Sequence, residues 1–184
     1  MIDKDTFYFK HVDVPCIEKE IENFKKVYYI ADVAEFRRVD NINHVRILMP
    51  SVFTWFDEHK IEIDKIFVIS NLPGQMQRKH IDYDARKLAI NLLLTPESKK
   101  GITKFFELKD PNIIPELLFT EDTNLPYSKY NDSDLIPVTY YSMESPILLN
   151  TNKIHSVMNI TRHHRSVVSF RFKEDPWFLI EEQI

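Results

Sequence analysis

Residues 165–172 read Arg-Ser-Val-Val-Ser-Phe-Arg-Phe, and the alternation of their side chains is typical of a β-strand. One face of that strand is mainly apolar and carries Ser166, Val168, Phe170 and Phe172. The opposite face carries Arg165, Val167, Ser169 and Arg171. Its polar side chains are costly to bury unless a ligand satisfies them, and a dicarboxylate could do so, because guanidinium groups bind carboxylates in a bidentate manner. The alternative is an edge strand whose polar face meets solvent.

Short segments of the same β-branched and aromatic kind recur through the last two thirds of the chain. They lie at 65–70, 87–95, 102–108, 137–141, 147–149 and 154–158. Before them, apolar residues spaced three and four apart predict a helix over 15–27, and Ser51 predicts the cap of a second helix that runs to His59. Helices followed by about seven or eight short strands indicate an α+β fold with an antiparallel barrel or double-sheet roll.

The whole chain, residues 1–184, is predicted to form one domain, because its length is usual for a single hydrophobic core and no internal repeat is present. We expect residues 1–64 to form a mixed, partly helical wrapping and residues 65–172 to form the core of the roll.

A long loop is predicted within that core at 110–134, where Pro, Asn and Asp are frequent. Tyr127 and Tyr130 lie in this segment, and Tyr140 and Tyr141 follow it closely. Since long loops in compact domains are usually functional, we expect this segment to be a lid over the mouth of the barrel.

The composition excludes several classes of function. Gly74 and Gly101 are the only glycines, so no glycine-rich phosphate loop, dinucleotide fingerprint or nucleophile elbow can be present. A net charge of −4 with mixed signs disfavours a nucleic-acid partner. Cys16 is the only cysteine, so no intramolecular disulfide can form. Neither an apolar signal segment nor a run long enough to span a membrane is present, and we expect a protein of the reducing cytoplasm without a membrane partner.

A metal site is suggested by His80-Ile81-Asp82, because side chains two residues apart in a strand project to the same face. This short motif is common by itself, and a solvent-facing ion pair is the simpler interpretation. His155 lies in a second strand-like segment and could add a third ligand if the two strands are neighbours. Two histidines and one carboxylate form the facial triad typical of non-haem Fe(II) oxygenases.

The order of His80-Ile81-Asp82, His155 and Arg165 resembles the motif of the Fe(II)/2-oxoglutarate-dependent oxygenases, with Arg165 ten residues past His155. The stretch His-Ile-Asp-Tyr-Asp-Ala-Arg-Lys-Leu-Ala-Ile-Asn-Leu at 80–92 is similar to the strand pair around the first two ligands in prolyl-4-hydroxylase-like members. This resemblance implies a double-stranded β-helix, a jelly-roll or cupin-like barrel, with flanking N-terminal helices. It also implies that His80, Asp82 and His155 bind iron and that Arg165 pairs with the distal carboxylate of 2-oxoglutarate.

The chemistry implied by the resemblance is that of a dioxygenase that uses Fe(II), O₂ and 2-oxoglutarate to hydroxylate a C–H bond, with succinate and CO₂ as products. Val167 stands where many members have a Ser or Thr two residues after the arginine, so Ser169 is the nearest hydroxyl that could bind the cosubstrate. Asn91 is an amide in an apolar run and is a second candidate for that role. Arg171 is predicted to lie at the rim, where it could meet the substrate or form a salt bridge.

The substrate is not encoded in these motifs. A prolyl or Asp/Asn side chain of a protein is slightly favoured because of the resemblance to prolyl hydroxylases. A small molecule such as a free amino acid is the alternative within the same class. A non-catalytic cupin-like binding module is the alternative from another class, and nucleic-acid demethylation is disfavoured by the acidic charge.

Overall fold

Two antiparallel sheets face each other in the computed structural model, which describes residues 6–29, 33–82, 86–119 and 126–181. The strands are Phe9–His11 (β1), Glu35–Val39 (β2), Ile63–Asn71 (β3), His80–Asp82 (β4), Leu88–Leu93 (β5), Ile102–Leu108 (β6), Glu116–Phe119 (β7), Pro126–Lys129 (β8), Leu135–Ser142 (β9), Ile147–Asn150 (β10), Ile154–Met158 (β11) and Arg165–Phe172 (β12). The helices are Glu18–Tyr28 (α1), Ile42–Leu48 (α2), Pro50–Glu58 (α3) and Phe178–Glu181 (α4), with 3₁₀ turns at Pro96–Ser98 and Asp132–Asp134. None of the helices in the described part of the chain is long and apolar enough to cross a membrane.

Each sheet has six strands, in the order β1-β10-β5-β12-β3-β2 for the first sheet and β7-β8-β4-β11-β6-β9 for the second. Apart from the consecutive pairs β2–β3 and β7–β8, strands that are neighbours in a sheet are far apart in the chain, and the chain crosses repeatedly from one sheet to the other. This is the predicted α+β fold with a double-stranded β-helix, or jelly roll, and the prediction is confirmed.

Strand β12 lies in the middle of the first sheet, hydrogen-bonded to β5 on one side and β3 on the other. Its apolar face packs against the helices, where the Phe170 ring meets those of Phe53 and Phe56 at centroid distances of 6.1 and 5.1 Å. All of its residues are buried, so the alternative of a solvent-facing edge strand is wrong. The polar face of β12 therefore points into the space between the two sheets.

Aromatic side chains close the roll where β1 meets the second sheet. The rings of Phe9 and Tyr141 lie 4.7 Å apart, and those of Tyr8 and Phe105 lie 5.5 Å apart. Together with Leu149 and Val167 they form a small apolar core between the sheets, distinct from the larger core under the helices. The remaining space between the sheets is a cavity.

The start of α3 differs from the prediction that Ser51 caps it. The helix begins at Pro50, and Ser51 lies in its first turn without capping it. Instead, the buried Glu20 of α1 accepts hydrogen bonds from the Ser51 backbone N–H (3.1 Å) and hydroxyl (2.5 Å). A carboxylate at a helix N-terminus is favourable for the unpaired N–H groups and for the helix dipole. Helix α1 begins at Glu18, three residues later than predicted.

The segment 110–134 also differs from the predicted long loop, because β7 and β8 pair with each other there and β8 pairs with β4. The local composition favours a loop, but pairing with a distant strand satisfies the backbone groups of these residues. Tyr127 lines the cavity, whereas Tyr130 packs in a separate apolar cluster and Tyr140 is exposed. Residues 120–125 lie outside the described part of the chain, and the lid stays a prediction.

Candidate metal centre

The second sheet brings His80, Asp82 and His155 together on its inner face. His80 and Asp82 are two residues apart on β4, and His155 of β11 lies directly opposite His80 in the strand register. The ligand atoms of the three side chains all lie within 4.8 Å of one another, and the two imidazole rings are 4.4 Å apart. A single divalent cation could therefore contact one atom of each residue.

Backbone hydrogen bonds fix which nitrogen of each neutral imidazole carries the lone pair. The Nδ1 of His80 donates to the carbonyl oxygen of Arg78 at 2.7 Å, and that of His155 donates to the carbonyl oxygen of Lys153 at 2.9 Å. A carbonyl can only accept, so in the neutral rings Nδ1 carries the hydrogen and Nε2 carries the lone pair. This outer hydrogen bond is the arrangement that orients histidine ligands in metal sites.

Arg171 holds the third side chain in place. Its guanidinium donates to Asp82 Oδ2 at 2.8 Å and to the hydroxyl of Thr151 at 2.9 Å. The predicted place for Arg171 at the rim is therefore wrong, since the residue is 4% exposed and is bound to a candidate metal ligand. Its inward position follows from the alternation of β12, which puts Arg171 on the same face as Arg165.

The charges of this cluster shift the pKa values of its members. Burial opposes ionisation of Asp82, but the hydrogen bond from His80 and the charge of Arg171 outweigh it and hold the pKa of Asp82 well below its usual range. Burial would lower the pKa of His80, but the hydrogen bond and charge of Asp82 outweigh burial and raise it. Burial and the neighbouring His80 lower the pKa of His155 to about 4. The carboxylate and one imidazole are thus ready to bind a metal at neutral pH.

Arg165 is buried deeper in the same cavity. It is 2% exposed, and its Nε has no hydrogen-bond partner. Its Nη2 atom contacts the sulfur of Met143 at 3.7 Å. No carboxylate of the described residues pairs with the Arg165 guanidinium. Burial lowers the pKa of Arg165. A buried guanidinium without a counter-ion is costly unless an anionic ligand completes it.

Gly101 makes room for the Arg165 side chain. A Cβ atom at this position would lie 2.4 Å from Arg165 Cδ and 2.8 Å from Nε, which is far closer than atoms can approach. Gly101 is one of only two glycines in the chain. Because glycine is so scarce in this sequence, Gly101 could have been identified from the sequence as a candidate functional position.

Asn91 and Ser169 lie side by side, as cross-strand partners on β5 and β12. Neither the Asn91 Oδ1 nor the Ser169 Oγ has a hydrogen-bond partner, although both atoms are buried. Asn91 lines the cavity, whereas Ser169 lies beside it and does not. The amide is therefore the better placed of the two predicted cosubstrate residues. Thr103 and Thr151 also line the cavity, and no sequence motif had indicated either of them.

One cavity of about 590 Å³ joins the His80–Asp82–His155 cluster to Arg165. Its size is in the usual range for ligand-binding pockets. Two imidazole nitrogens and a carboxylate fit Fe(II), which is commonly bound by such a triad with positions left open for other ligands. The unpaired Arg165 guanidinium fits the carboxylate of a small anion, so the residues present fit both iron and 2-oxoglutarate.

No protein-family model matches this chain, and no curated protein matches it. Among solved structures, it is similar to the non-haem alpha-ketoglutarate-dependent epimerase SnoN from nogalamycin biosynthesis, with 11% identity over 92% of this chain and 79% of SnoN and a TM-score of 0.51. Matches with lower TM-scores include a Pseudomonas putida prolyl-4-hydroxylase (0.47; 12% identity; 92% of this chain and 94% of that one). Another is the capsular polysaccharide assembling protein CapF of Staphylococcus aureus (0.34; 11% identity; 77% of this chain), of whose length this chain spans 28%. The chain therefore shares the double-stranded β-helix fold with SnoN.

Proposed function

We propose that this protein is an Fe(II)- and 2-oxoglutarate-dependent dioxygenase that hydroxylates a C–H bond of its substrate. The observation that carries the proposal is the pairing, in one cavity, of a His-Asp-His cluster with a buried guanidinium that lacks a counter-ion. SnoN, which shares the fold, has been solved in complex with Fe3+ and alpha ketoglutarate. A reducing compartment such as the cytoplasm would keep the iron ferrous.

Different residues of the cavity would bind the iron and the 2-oxoglutarate. His80 and His155 would hold iron through Nε2, because their Nδ1 atoms already donate to backbone carbonyls. Asp82 would supply the anionic ligand, kept ionised and oriented by Arg171. Arg165 would bind the distal carboxylate of 2-oxoglutarate, with Asn91 beside it. The bound iron and 2-oxoglutarate supply the oxidation, with succinate and CO₂ as products.

Anaerobic addition of Fe(II) and then 2-oxoglutarate tests the proposal. We expect a weak visible charge-transfer band in the wild type, and we expect it to be absent in His80→Ala and His155→Ala, which remove one of three ligands each. His163→Ala is the matched control, because His163 is exposed and lies outside the cavity. No band in the wild type, or an unchanged band in His155→Ala, would contradict the proposal. Binding without succinate release from any substrate would instead indicate the cupin-like binding module.

Metal affinity is expected to fall as the pH drops below the raised pKa of His80. A protonated imidazole cannot bind a metal, so each ion must displace one proton from His80, and affinity should fall about tenfold per pH unit. His155, with a pKa of about 4, is already neutral and should release no proton between pH 5 and 6. Calorimetric titration with Co(II) in buffers of different ionisation enthalpy counts the protons. Release of two protons per ion in that pH range would refute the assignment.

A further inference from the structure

The cavity has an outer chamber that the metal and cosubstrate residues do not use. Its apolar and aromatic lining residues in the described part of the chain are Phe36, Phe67, Ile69, Met76, Phe119 and Tyr127, and the polar residues Gln75, Gln77 and Arg78 line it as well. Phe36 belongs to β2 and Phe119 to β7, which are the edge strands of the two sheets. The outer chamber therefore opens between two sheet edges, at the side of the roll away from the aromatic contacts of β1.

Two aromatic surfaces lie across the outer chamber from each other. On the first sheet, the rings of Phe36 and Phe67 are stacked, with centroids 4.9 Å apart and an angle of 22° between their planes. On the second sheet, the Tyr127 ring meets the imidazole of His80 edge-on at 6.0 Å. A ligand in contact with Tyr127 is thus next to the candidate metal centre.

Two of the polar groups beside the outer chamber already have partners within the protein. The side-chain oxygen of Gln75 accepts from the Leu72 N–H at 2.8 Å, and the backbone N–H of Gln77 donates to the carbonyl of Val157 at 2.8 Å. Arg78 is the one charged residue of the described outer lining, and its side chain is exposed. Since an exposed charge attracts a counter-ion weakly, a charged ligand group would lose its water here without full compensation.

We propose that the outer chamber binds an uncharged substrate with a flat aromatic ring, held between the Phe36 and Tyr127 surfaces. Aromatic rings favour such stacked and edge-on contacts. A free amino acid, with its two charges, is disfavoured, because the one charged residue of the described outer lining is Arg78 and its side chain is exposed. This assignment rests on the proposed oxygenase function, which requires the substrate to lie beside the metal centre.

Methyl NMR of the metal-free protein can locate a bound ligand, because the methionine methyl groups lie in different parts of the molecule. Met76 lies in the outer chamber, Met143 contacts Arg165, and Met49 is fully buried in the core under the helices. The probes are naphthol, naphthoate, naphthylalanine and a blocked prolyl tripeptide. We expect naphthol to shift the Met76 signal and not that of Met49. We expect naphthoate and naphthylalanine to bind at least about tenfold more weakly, because their charges lose water.

Variants connect the signal to the aromatic surfaces. Phe36→Ala and Phe119→Ala should each weaken naphthol binding at least about fivefold, while Phe36→Leu, which keeps apolar contact without a ring face, should retain part of the affinity. Phe178→Ala is the matched control, because Phe178 is a partly exposed phenylalanine on α4 and does not line the cavity. Circular dichroism of each variant checks that it is folded.

Two outcomes would overturn the assignment. One is the lack of a Met76 shift with naphthol, or a shift that Phe36→Ala and Phe119→Ala leave unchanged. The other is tighter binding of naphthoate, naphthylalanine or the prolyl peptide that shifts the Met76 signal, which would indicate a charged or peptide substrate; the Met143 signal separates this from a carboxylate bound at Arg165. These experiments contain no metal, so their failure leaves the iron and 2-oxoglutarate titration intact. Conversely, failure of that titration leaves the naphthol result standing as a binding site without the oxygenase function.

Discussion

Arg165→Met is expected to remove most of the affinity for 2-oxoglutarate while stabilising the ligand-free protein. Loss of a buried, hydrogen-bonded charge partner should weaken 2-oxoglutarate binding at least about thirtyfold. The ligand-free protein becomes more stable, because the wild-type guanidinium is buried with an unpaired Nε. Removing such a group should raise the free energy of unfolding by about 1–3 kcal/mol. Calorimetric titration and thermal unfolding measure the two effects.

Gly101→Ala should cause the same loss of affinity while Arg165 stays in the sequence. The added methyl group would lie 2.4 Å from the Arg165 Cδ atom, so the arginine side chain must move. Arg162→Met is the matched control, because Arg162 is exposed and does not line the cavity. Normal 2-oxoglutarate binding in Arg165→Met would show that the anion binds elsewhere. A less stable Arg165→Met protein would show that this guanidinium has a structural partner.

Asp82→Ala is expected both to abolish metal binding and to destabilise the fold. The substitution leaves the buried Arg171 without its carboxylate, and breaking one side of a buried ion pair costs about 3 kcal/mol or more. For a chain of this length, that loss lowers the midpoint of thermal unfolding by about 6–12 °C. Unfolding followed by circular dichroism and titration with Co(II) measure the two effects.

The double variant Asp82→Ala with Arg171→Met separates the two roles of Asp82. Removing both charges should restore most of the stability, because the Arg171 charge that lost its partner is removed as well. Metal binding should not return, since one of the three ligands is still missing. If the double variant is as unstable as Asp82→Ala alone, the cost comes from lost packing and not from the orphaned guanidinium. If it binds Co(II) normally, Asp82 is not a ligand.

The strands of the roll could be predicted because their signal is local. Alternation over a few residues is enough to identify a strand, and the segments 102–108 and 154–158 were predicted with the bounds found in the structure. The same alternation assigned His80 and Asp82 to one face. It also assigned Arg165 and Arg171 to one face, so the sequence indicated which side chains point into the cavity.

The features that sequence reasoning missed depend on partners far away in the chain. Arg171 was predicted to lie at the rim of the cavity, because its neighbours in the sequence do not indicate that it binds Asp82, 89 residues earlier. Pairing of β8 with β4 likewise turned a segment with the composition of a loop into part of a sheet. Ser51 is a residue type that commonly caps helices, but the Glu20 carboxylate of α1 accepts the hydrogen bonds at the N-terminus of α3.

The two faces of β12 have a consequence for how this protein can change over generations. Folding depends mainly on the face beneath the helices, where Phe53, Phe56 and Phe170 are packed. In the proposed function, ligand selectivity would depend on the opposite face and on the rings of edge strands such as Phe36 and Phe119. Selection for a new substrate can therefore act on the open side of the roll with little penalty to folding. A scaffold divided in this way is a favourable starting point for engineering new specificities.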